Sequence, residues 1–304
     1  MTPRRSFAQV DVFTDVPGYG NPVAVVLDGS GLDEAAMQRF ARWTNLSETT
    51  FVLPPTDPQA DYNLRIFTPG GELPFAGHPT LGSCYAWLAA GGEPKSGGRI
   101  VQQCAKGLVQ IRREGKRLAF AAPLTERSAP SPALLARVAQ ALGLQAAQVL
   151  RAQLLDNGPV WLALQVDNAD TVLALEPNHE QLAGLGQKVG VLGVYQSHAA
   201  TQLISRSSRE ARAFAGIAGR GDAPLIEVRA FAAPIGVAED PVTGSLNASL
   251  AQWLIEEGEL PLSYVASQGT VLGREGRVHV NRDADGQVWV GGDCVACIEG
   301  KVLL

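Results

Sequence analysis

The chain has 304 residues, and its 25 Lys and Arg against 30 Asp and Glu give a net charge of −5. Because no block of basic residues occurs, nucleic acid is not expected as a partner. No apolar run approaches about 18 residues, and polar residues interrupt the first apolar stretch, so we expect neither a membrane span nor a signal peptide. Four scattered cysteines are too few for a disulfide framework, and a cytoplasmic location fits them best.

The pattern of apolar residues predicts an α+β chain. Short alternating segments predict strands over residues 7–14, 22–27, 62–67, 117–120 and 161–166. Helical spacing predicts helices over residues 33–43, 80–90, 132–142, 179–189 and 245–256, the last of which is closed by Gly258.

The length of the chain favours two domains of about 150 residues each. The stretch TERSAPSP at 125–132 suits an exposed linker between them. We therefore predict an N-terminal lobe over 1–124 and a C-terminal lobe over 125–294. The C-terminal strand, at about 295–304, could return to the first lobe.

An internal repeat relates the two halves of the chain. PTLGSCYAWLA at 79–89 aligns without gaps on PVTGSLNASLA at 241–251, at a constant offset of 162 residues. Two shorter matches precede it in the same order, 65–67 with 229–231 and 21–23 with 158–160. The ordered set indicates duplication. It predicts two similar lobes, each with one apolar, buried helix that begins just after a Pro-x-x-Gly-Ser turn.

Both repeats place a polar residue immediately before a proline at the expected helix entrance, His78 in one and Asp240 in the other. Helix N-termini expose unpaired amides and favour bound anions. The structural alternative is that Asp240 and Thr243 only cap a helix. Two duplicated entrances favour a ligand site between the lobes. Glycines near the entrances would let backbone N–H groups approach a ligand closely: Gly77, Gly82 and Gly244.

Glu48 lies in NLSETTF at 45–51, between an expected helix and an expected strand. No cation lies within three residues to hold the carboxylate ionised, so burial in the cleft would raise the pKa of Glu48. A carboxyl group of that kind can both take and return a proton. The structural alternative is that Glu48 only caps a turn.

The other titratable residues are weaker candidates. Glu72 could line the same cleft from a Gly-rich loop. Cys294 and Cys297 have the spacing of a redox or zinc pair, but residues three apart on a strand point to opposite faces, so no metal site is expected there. Nucleotide-binding, serine-hydrolase and zinc-protease motifs are missing, which favours a cofactor-free reaction. The remaining histidines lie in polar segments and are expected to be solvated: His179, His198 and His279.

Six segments that run nearly end to end carry the motifs of one known family. They are DVFTDVPGYGNPVAVV at 11–26, NLSETTFV at 45–52, RIFTPGGELPFAGHPTLG at 65–82, DNGPVW at 156–161, EDPVTGS at 239–245 and QGTVLGREGRVHV at 268–280. The chain resembles the PhzF-like phenazine biosynthesis proteins, which share the diaminopimelate epimerase fold. The resemblance implies two pseudo-symmetric lobes, each a barrel-like sheet around a central helix. It also implies a site between the lobes and a homodimer.

The resemblance further implies an isomerase that moves a proton between ring carbons of a dihydro-hydroxyanthranilic acid. It maps the catalytic glutamate of the family onto Glu48, and the supporting His, Asp and Ser onto His78, Asp240 and Ser245. Residues beside the helix entrances are expected to bind the substrate: Asn21, Gly77, Thr243 and Gly244.

We therefore predict a cofactor-independent isomerase of a small carboxylated substrate, expected to be cyclic, with Glu48 as acid and base. Three alternatives stay open. An amino-acid racemase of the same fold would need two cysteines at the helix entrances, where this chain has none. A metabolite-binding protein would keep the cleft, but it does not need an uncompensated glutamate. A metal-dependent enzyme would use Glu48, His78 and Asp240 as ligands, which metal analysis would decide.

Overall fold

The structure is a computed structural model that describes residues 3–196 and 223–304. The first half of the chain contains, in order, β1 (Arg4–Val12), β2 (Asn21–Val26), α1 (Glu34–Thr44), β3 (Glu48–Leu53), β4 (Tyr62–Phe67), β5 (Glu72–Leu73), α2 (Gly77–Ala89), β6 (Arg99–Cys104), β7 (Gly107–Glu114), β8 (Arg117–Ala121) and β9 (Glu126–Ser128). The second half contains α3 (Pro132–Ala141), β10 (Val149–Asp156), β11 (Val160–Val166), α4 (Ala169–Leu173), α5 (His179–Gly184), β12 (Lys188–Val194), β13 (Ile226–Ala232), β14 (Val237–Asp240), α6 (Gly244–Glu256), β15 (Ser263–Gln268), β16 (Gly276–Arg282), β17 (Val288–Gly292) and β18 (Cys294–Leu303). The α+β class is confirmed.

The loop after α1 determines where Glu48 lies. The helix begins after Asp33, whose side chain accepts a backbone N–H of the first turn, and it buries Met37 and Phe40. It ends at Thr44, and the cap residue that follows, Asn45, adopts the left-handed conformation with φ of 56°. The chain then reverses into β3, which pairs parallel with β2 and begins at Glu48.

The two halves repeat the same local architecture. In each, two strands pair in parallel through a helical connection, β2 with β3 and β11 with β12. A hairpin follows, β4 with β5 and β13 with β14. Each hairpin carries a two-pronged Arg–Glu pair, Arg65 with Glu72 and Arg229 with Glu239. A 13-residue helix, α2 or α6, comes next, as the duplication predicts.

The start of α2 differs from the prediction. The helix begins at Gly77 and not at residue 80, so His78 and Pro79 lie in its first turn and Gly82 lies in its interior. A proline fits there, because the N–H groups of the first turn have no partner within the helix. Gly77 and Gly244 are therefore the equivalent first residues of the two helices. The Pro-x-x-Gly-Ser turn predicted before each helix is wrong for the first repeat.

A second difference concerns residues 179–189, which were predicted as one helix. The helix α5 ends at Gly184, Gly186 adopts a φ of +67°, and β12 begins at Lys188. Three of the seven residues of β12 are valines, and β-branched residues favour strands. The helices predicted over 33–43, 132–142 and 245–256 are confirmed within one residue at each end, and so are the five predicted strands within three residues.

The helices α2 and α6 are buried in a common hydrophobic core. Leu81 and Cys84 of α2 pack beneath strands β1, β2, β3 and β8, and Leu250 and Trp253 of α6 pack beneath β10, β16 and β17. The sheet encloses both helices, and their amino-terminal ends contact each other. A ligand at those ends would contact both halves of the chain.

The C-terminal strand and the expected linker both take part in the sheet. β18 pairs antiparallel with β1 over its whole length, and β17 pairs with β8. The stretch at 125–132 is largely exposed but contains β9, which pairs with β10. The division of the chain at residue 125 stays a prediction. Among the residues described, no helix is long and apolar enough to cross a membrane.

Candidate active site

The amino-terminal ends of α2 and α6 meet at two glycines. A Cβ atom on Gly77 would lie 3.2 Å from the Cα atom of Gly244 and 2.9 Å from the ring of Phe120. No larger residue fits without displacing the other helix. The unpaired backbone amides of both helices therefore converge on one region, which favours an anion or a developing negative charge.

Glu48 and His78 face each other at this junction. The Oε2 atom of Glu48 lies 3.2 Å from the Nε2 atom of His78, with the side chains 15% and 6% exposed. The two atoms are close but not aligned as a hydrogen bond, and within the described chain neither has another hydrogen-bond partner. The Oε2 atom is buried, but the Glu48 side chain keeps a small opening to solvent, so a carboxyl group with an unpartnered oxygen lies within reach of a substrate proton.

Burial makes this pair uncharged at neutral pH. Desolvation raises the pKa of Glu48 to about 8, the charge of Asp240 adds to the rise, and Lys188 opposes it. Desolvation lowers the pKa of His78 to about 3, against the effect of a hydrogen bond with the backbone of Pro22. At pH 7 the imidazole is neutral and the carboxyl group is mostly protonated. A small rise in pH therefore converts Glu48 into a base.

Asp240 is held from two sides at the end of β14. Its Oδ1 atom accepts a hydrogen bond of 2.8 Å from the Asn21 amide, and its Oδ2 atom accepts one of 2.6 Å from the Thr243 hydroxyl. Burial raises the pKa of Asp240 to about 6, and these two hydrogen bonds limit the rise. The same Asn21 amide donates to the Val242 carbonyl and lies 3.3 Å from Nδ1 of His78. Asn21 therefore links the two repeats at the junction.

Thr243 is engaged within the protein. Its backbone N–H donates to the Gln268 side chain over 3.0 Å, and its hydroxyl donates to Asp240. Gln268 in turn donates to the Thr243 hydroxyl and to the Asp240 carbonyl oxygen. Thr243 thus orients Asp240 in this structure, and its predicted role in substrate binding stays a prediction.

Ser245 occupies the position in α6 that His78 occupies in α2, the second residue of the helix. Its Oγ atom accepts a hydrogen bond of 3.2 Å from the indole N–H of Trp161, and its carbonyl oxygen accepts one of 2.9 Å from Asn157. The hydroxyl proton stays available for a ligand. Ser245 therefore lies at the junction, and its role in the reaction stays a prediction.

Three residues of this region were not singled out from the sequence: Trp161, Lys188 and Gln268. Trp161 and Gln268 lie in two of the family motifs, but they contact the site through Ser245 and Thr243, so no local pattern marks them. Lys188 was placed in a helix by the prediction for 179–189. The signal that could have found it is its place at the start of an apolar strand, like Glu48.

The weaker candidates lie elsewhere. Glu72 forms hydrogen bonds of 2.7 and 2.6 Å with Arg65 on the β4–β5 hairpin. His179 is half-buried with its ring 6.0 Å from that of Phe231, so the expectation of a solvated side chain is wrong. His279 lies on β16, in a separate surface groove that contains none of the predicted site residues. His198 lies outside the described residues.

The cysteines do not lie at the helix ends. Cys84 lies in the interior of α2, and burial raises the pKa of its thiol to about 12. Cys294 and Cys297 lie on β18, and Cys104 ends β6. The arrangement of a two-thiol racemase is therefore not present. Across residues 3–196 and 223–304, no three His, Cys, Asp or Glu side chains form a metal-ligand set.

Comparison with known proteins agrees with this architecture. Residues 10–300 match the PhzC-PhzF family, described as phenazine biosynthesis-like proteins. "Antisense-enhancing sequence 1" of Schizosaccharomyces pombe is 37% identical over 98% of this chain and 99% of its own. The trans-2,3-dihydro-3-hydroxyanthranilate isomerase of Pseudomonas aeruginosa is 32% identical over 98% and 99%. A PhzF-family crystal structure from Bacillus anthracis superimposes with a TM-score of 0.79 at 24% identity, covering 99% of this chain and 100% of its own. The chain therefore belongs to the PhzC-PhzF family of phenazine biosynthesis-like proteins.

Proposed function

We propose that the chain is a cofactor-independent isomerase that moves a proton between carbons of a small, carboxylated, cyclic substrate. One observation carries the proposal. The Glu48 carboxyl is nearly enclosed, has an oxygen without a hydrogen-bond partner, and has a pKa of about 8. A carboxyl group with such a pKa can act as both base and acid near neutral pH.

The proposed reaction is balanced without a second reactant. The Glu48 carboxylate removes a proton from a ring carbon, and the electron pair of that C–H bond enters the neighbouring double bond. The conjugated system then takes the proton back from Glu48 at a different carbon. Substrate and product have the same formula, and the reaction needs neither oxidant nor reductant.

The surrounding groups have separate roles in this proposal. Backbone amides at the ends of α2 and α6 hold the negative charge that develops on the substrate. His78 is neutral and lies beside Glu48, so it orients the carboxyl group and the substrate. Asp240, fixed by Asn21 and Thr243, and the Ser245 hydroxyl accept or donate hydrogen bonds to polar groups of the substrate.

The substrate that we propose is a dihydro-hydroxyanthranilic acid, the class named for the Pseudomonas aeruginosa relative. The carboxyl groups of Glu48 and Asp240 can accept hydrogen bonds from its amino group, and the amino-terminal ends of the two helices can bind its carboxylate. We also propose a homodimer and a cytoplasmic location. The exposed apolar side chains of Ile298 and Leu303 on β18 support an interface in a homodimer. Four free cysteines, one of them exposed, support the cytoplasmic location. The lobe boundaries at 124 and 294 belong to the same proposal.

Proton exchange with solvent tests the function. The purified chain is incubated with trans-2,3-dihydro-3-hydroxyanthranilate in D₂O, and the ring protons are followed by NMR. We expect loss of one C–H signal and formation of an isomer that carries at most one new deuterium at a different carbon. Dialysis against a chelator should leave the rate unchanged. A substrate that keeps all its C–H protons overnight would contradict the proposal.

The rate of isomerisation should rise with pH. Because the folded-state pKa of Glu48 is about 8, the carboxylate that removes the proton is a minority species below that pH. We expect kcat/KM to increase about tenfold per pH unit up to about pH 8 and then to level off. A profile with its inflection near 4, the ordinary range for glutamate, would show that Glu48 is not the base.

A further inference from the structure

Lys188 presents an ammonium group to the junction from the second repeat. It is the first residue of β12, where the parallel pairing with β11 sets it beside Trp161. Its Nζ atom lies 5.7 Å from the centroid of the Trp161 ring, and the indole N–H of that ring donates to Ser245. The Trp161 ring therefore lies between the Lys188 ammonium and Ser245 at the amino-terminal end of α6.

Lys188 and Glu48 occupy equivalent places in the two repeats. Glu48 is the first residue of β3 and pairs with Val23 of the parallel neighbour β2. Lys188 is the first residue of β12 and pairs with Trp161 of the parallel neighbour β11. The duplicated architecture thus places an acid–base group on one side of the helix junction and a cation on the other.

Apart from the Trp161 ring, the Lys188 ammonium has no partner in the described part of the chain. In the described part of the chain it makes no hydrogen bond and no ion pair, although the side chain is half-buried. Burial lowers the pKa of Lys188, and Glu48 and Asp240, when ionised, oppose that lowering, so both carboxyl groups act on the ammonium. A half-buried cation with three free donors is a binding group for an anion.

We propose that Lys188, together with the amino-terminal end of α6, binds the carboxylate of the substrate across the junction from Glu48, and so selects carboxylated substrates. This proposal rests on the proposed function, which identifies the helix junction as the active site. An ammonium beside the carboxylate fixes the ring with its reacting carbon toward Glu48. It also draws electron density toward the carboxylate end as the C–H bond breaks, which lowers the cost of the developing charge.

Binding of two matched probes tests this proposal without turnover. The probes are 3-hydroxyanthranilate and its neutral carboxamide, and their affinities for the full chain are measured by calorimetry. Lys188→Met keeps an unbranched side chain of similar length beside Trp161 but removes the charge. We expect Lys188→Met to weaken binding of the acid by about 10–100-fold and binding of the amide by less than about twofold. Lys188→Arg should restore most of the preference for the acid.

Lys116→Met is the control, because it changes the net charge equally at an exposed turn between β7 and β8. It should leave both affinities unchanged. Where turnover is measurable, Lys188→Met should raise KM more than it lowers kcat, and it should move the pH inflection of Glu48 upward, since Lys188 lowers that pKa. Equal losses for acid and amide, no loss for either, or a wild-type chain without preference for the acid would overturn the proposal.

The outcomes for Lys188 and for the proposed function are distinct. If the chain preferred the acid through Lys188 but never exchanged the substrate proton, the role of Lys188 would stand and the isomerase activity would be refuted. Isomerisation with an unchanged KM in Lys188→Met would keep the isomerase and refute the role of Lys188.

Discussion

The substitution Glu48→Gln should lower the rate of proton exchange by about 10²–10⁴-fold, or about 3–5 kcal/mol in activation free energy. Glutamine preserves the shape of the side chain beside His78, but its amide does not accept a proton near neutral pH. Exchange at the reacting carbon, measured by NMR in D₂O, should therefore be lost while binding of 3-hydroxyanthranilate is kept within a few-fold.

Glu72→Gln is the matched control, because the same atoms change in a glutamate that pairs with Arg65 on a hairpin. It should keep the wild-type exchange rate. His78→Ala and Asp240→Asn should weaken both binding and rate, since these residues orient the substrate. If Glu48→Gln exchanged the proton at the wild-type rate and His78→Ala did not, the base would be His78.

The free energy of unfolding, measured as a function of pH, provides a separate test of the Glu48→Gln variant that also shows whether it folds. The folded-state pKa of Glu48, about 8, lies above the unfolded value of about 4.5, so the folded chain binds that proton more tightly. The contribution of Glu48 is fully present below the unfolded value and is lost as pH rises through about 8. Glutamine has no such loss, so the variant should be the more stable protein at pH 9.

Much of the fold was accessible from the sequence because local signals and the repeat agree. The cap of α1, the apolar pattern of α6 and the strand that begins at Glu48 each have a local cause. The family and the isomerase class, which the resemblance carried by the six motifs predicts, are confirmed. The Pro-x-x-Gly match predicts a start near residue 80 for α2, but the helix begins three residues earlier, at Gly77. What selects Gly77 is the contact with Gly244, which is distant in sequence.

The second side of the site was missed for a related reason. Lys188 follows a short helix and precedes a strand, and the helical spacing of its neighbours concealed the break at Gly184 and Gly186. Its neighbour Trp161 lies in the motif DNGPVW, but its contacts with Ser245 and Lys188 join residues that are distant in sequence. Roles that depend on which strands lie side by side require the tertiary structure.

Arg229→Met should lower the free energy of unfolding by about 3–5 kcal/mol, because it leaves a buried charge without a partner. Arg229 and Glu239 are 3% and 7% exposed and share hydrogen bonds of 2.9 and 2.7 Å. Arg229 also donates to the carbonyls of Val172 and Leu175. Since Glu239 precedes Asp240, the variant should also lose affinity for substrate.

The first repeat supplies the matched control for that prediction. Arg65 forms the same two-pronged pair with Glu72, but these side chains are 27% and 30% exposed, so solvent screens the charges. Arg65→Met should therefore cost only about 0–1 kcal/mol. Urea unfolding of both variants measures the difference. Adding Glu239→Gln to Arg229→Met should recover part of the loss, because the unpaired charge is then removed. Equal costs for the two arginines would mean that the Arg229 pair is as well solvated as its exposed counterpart.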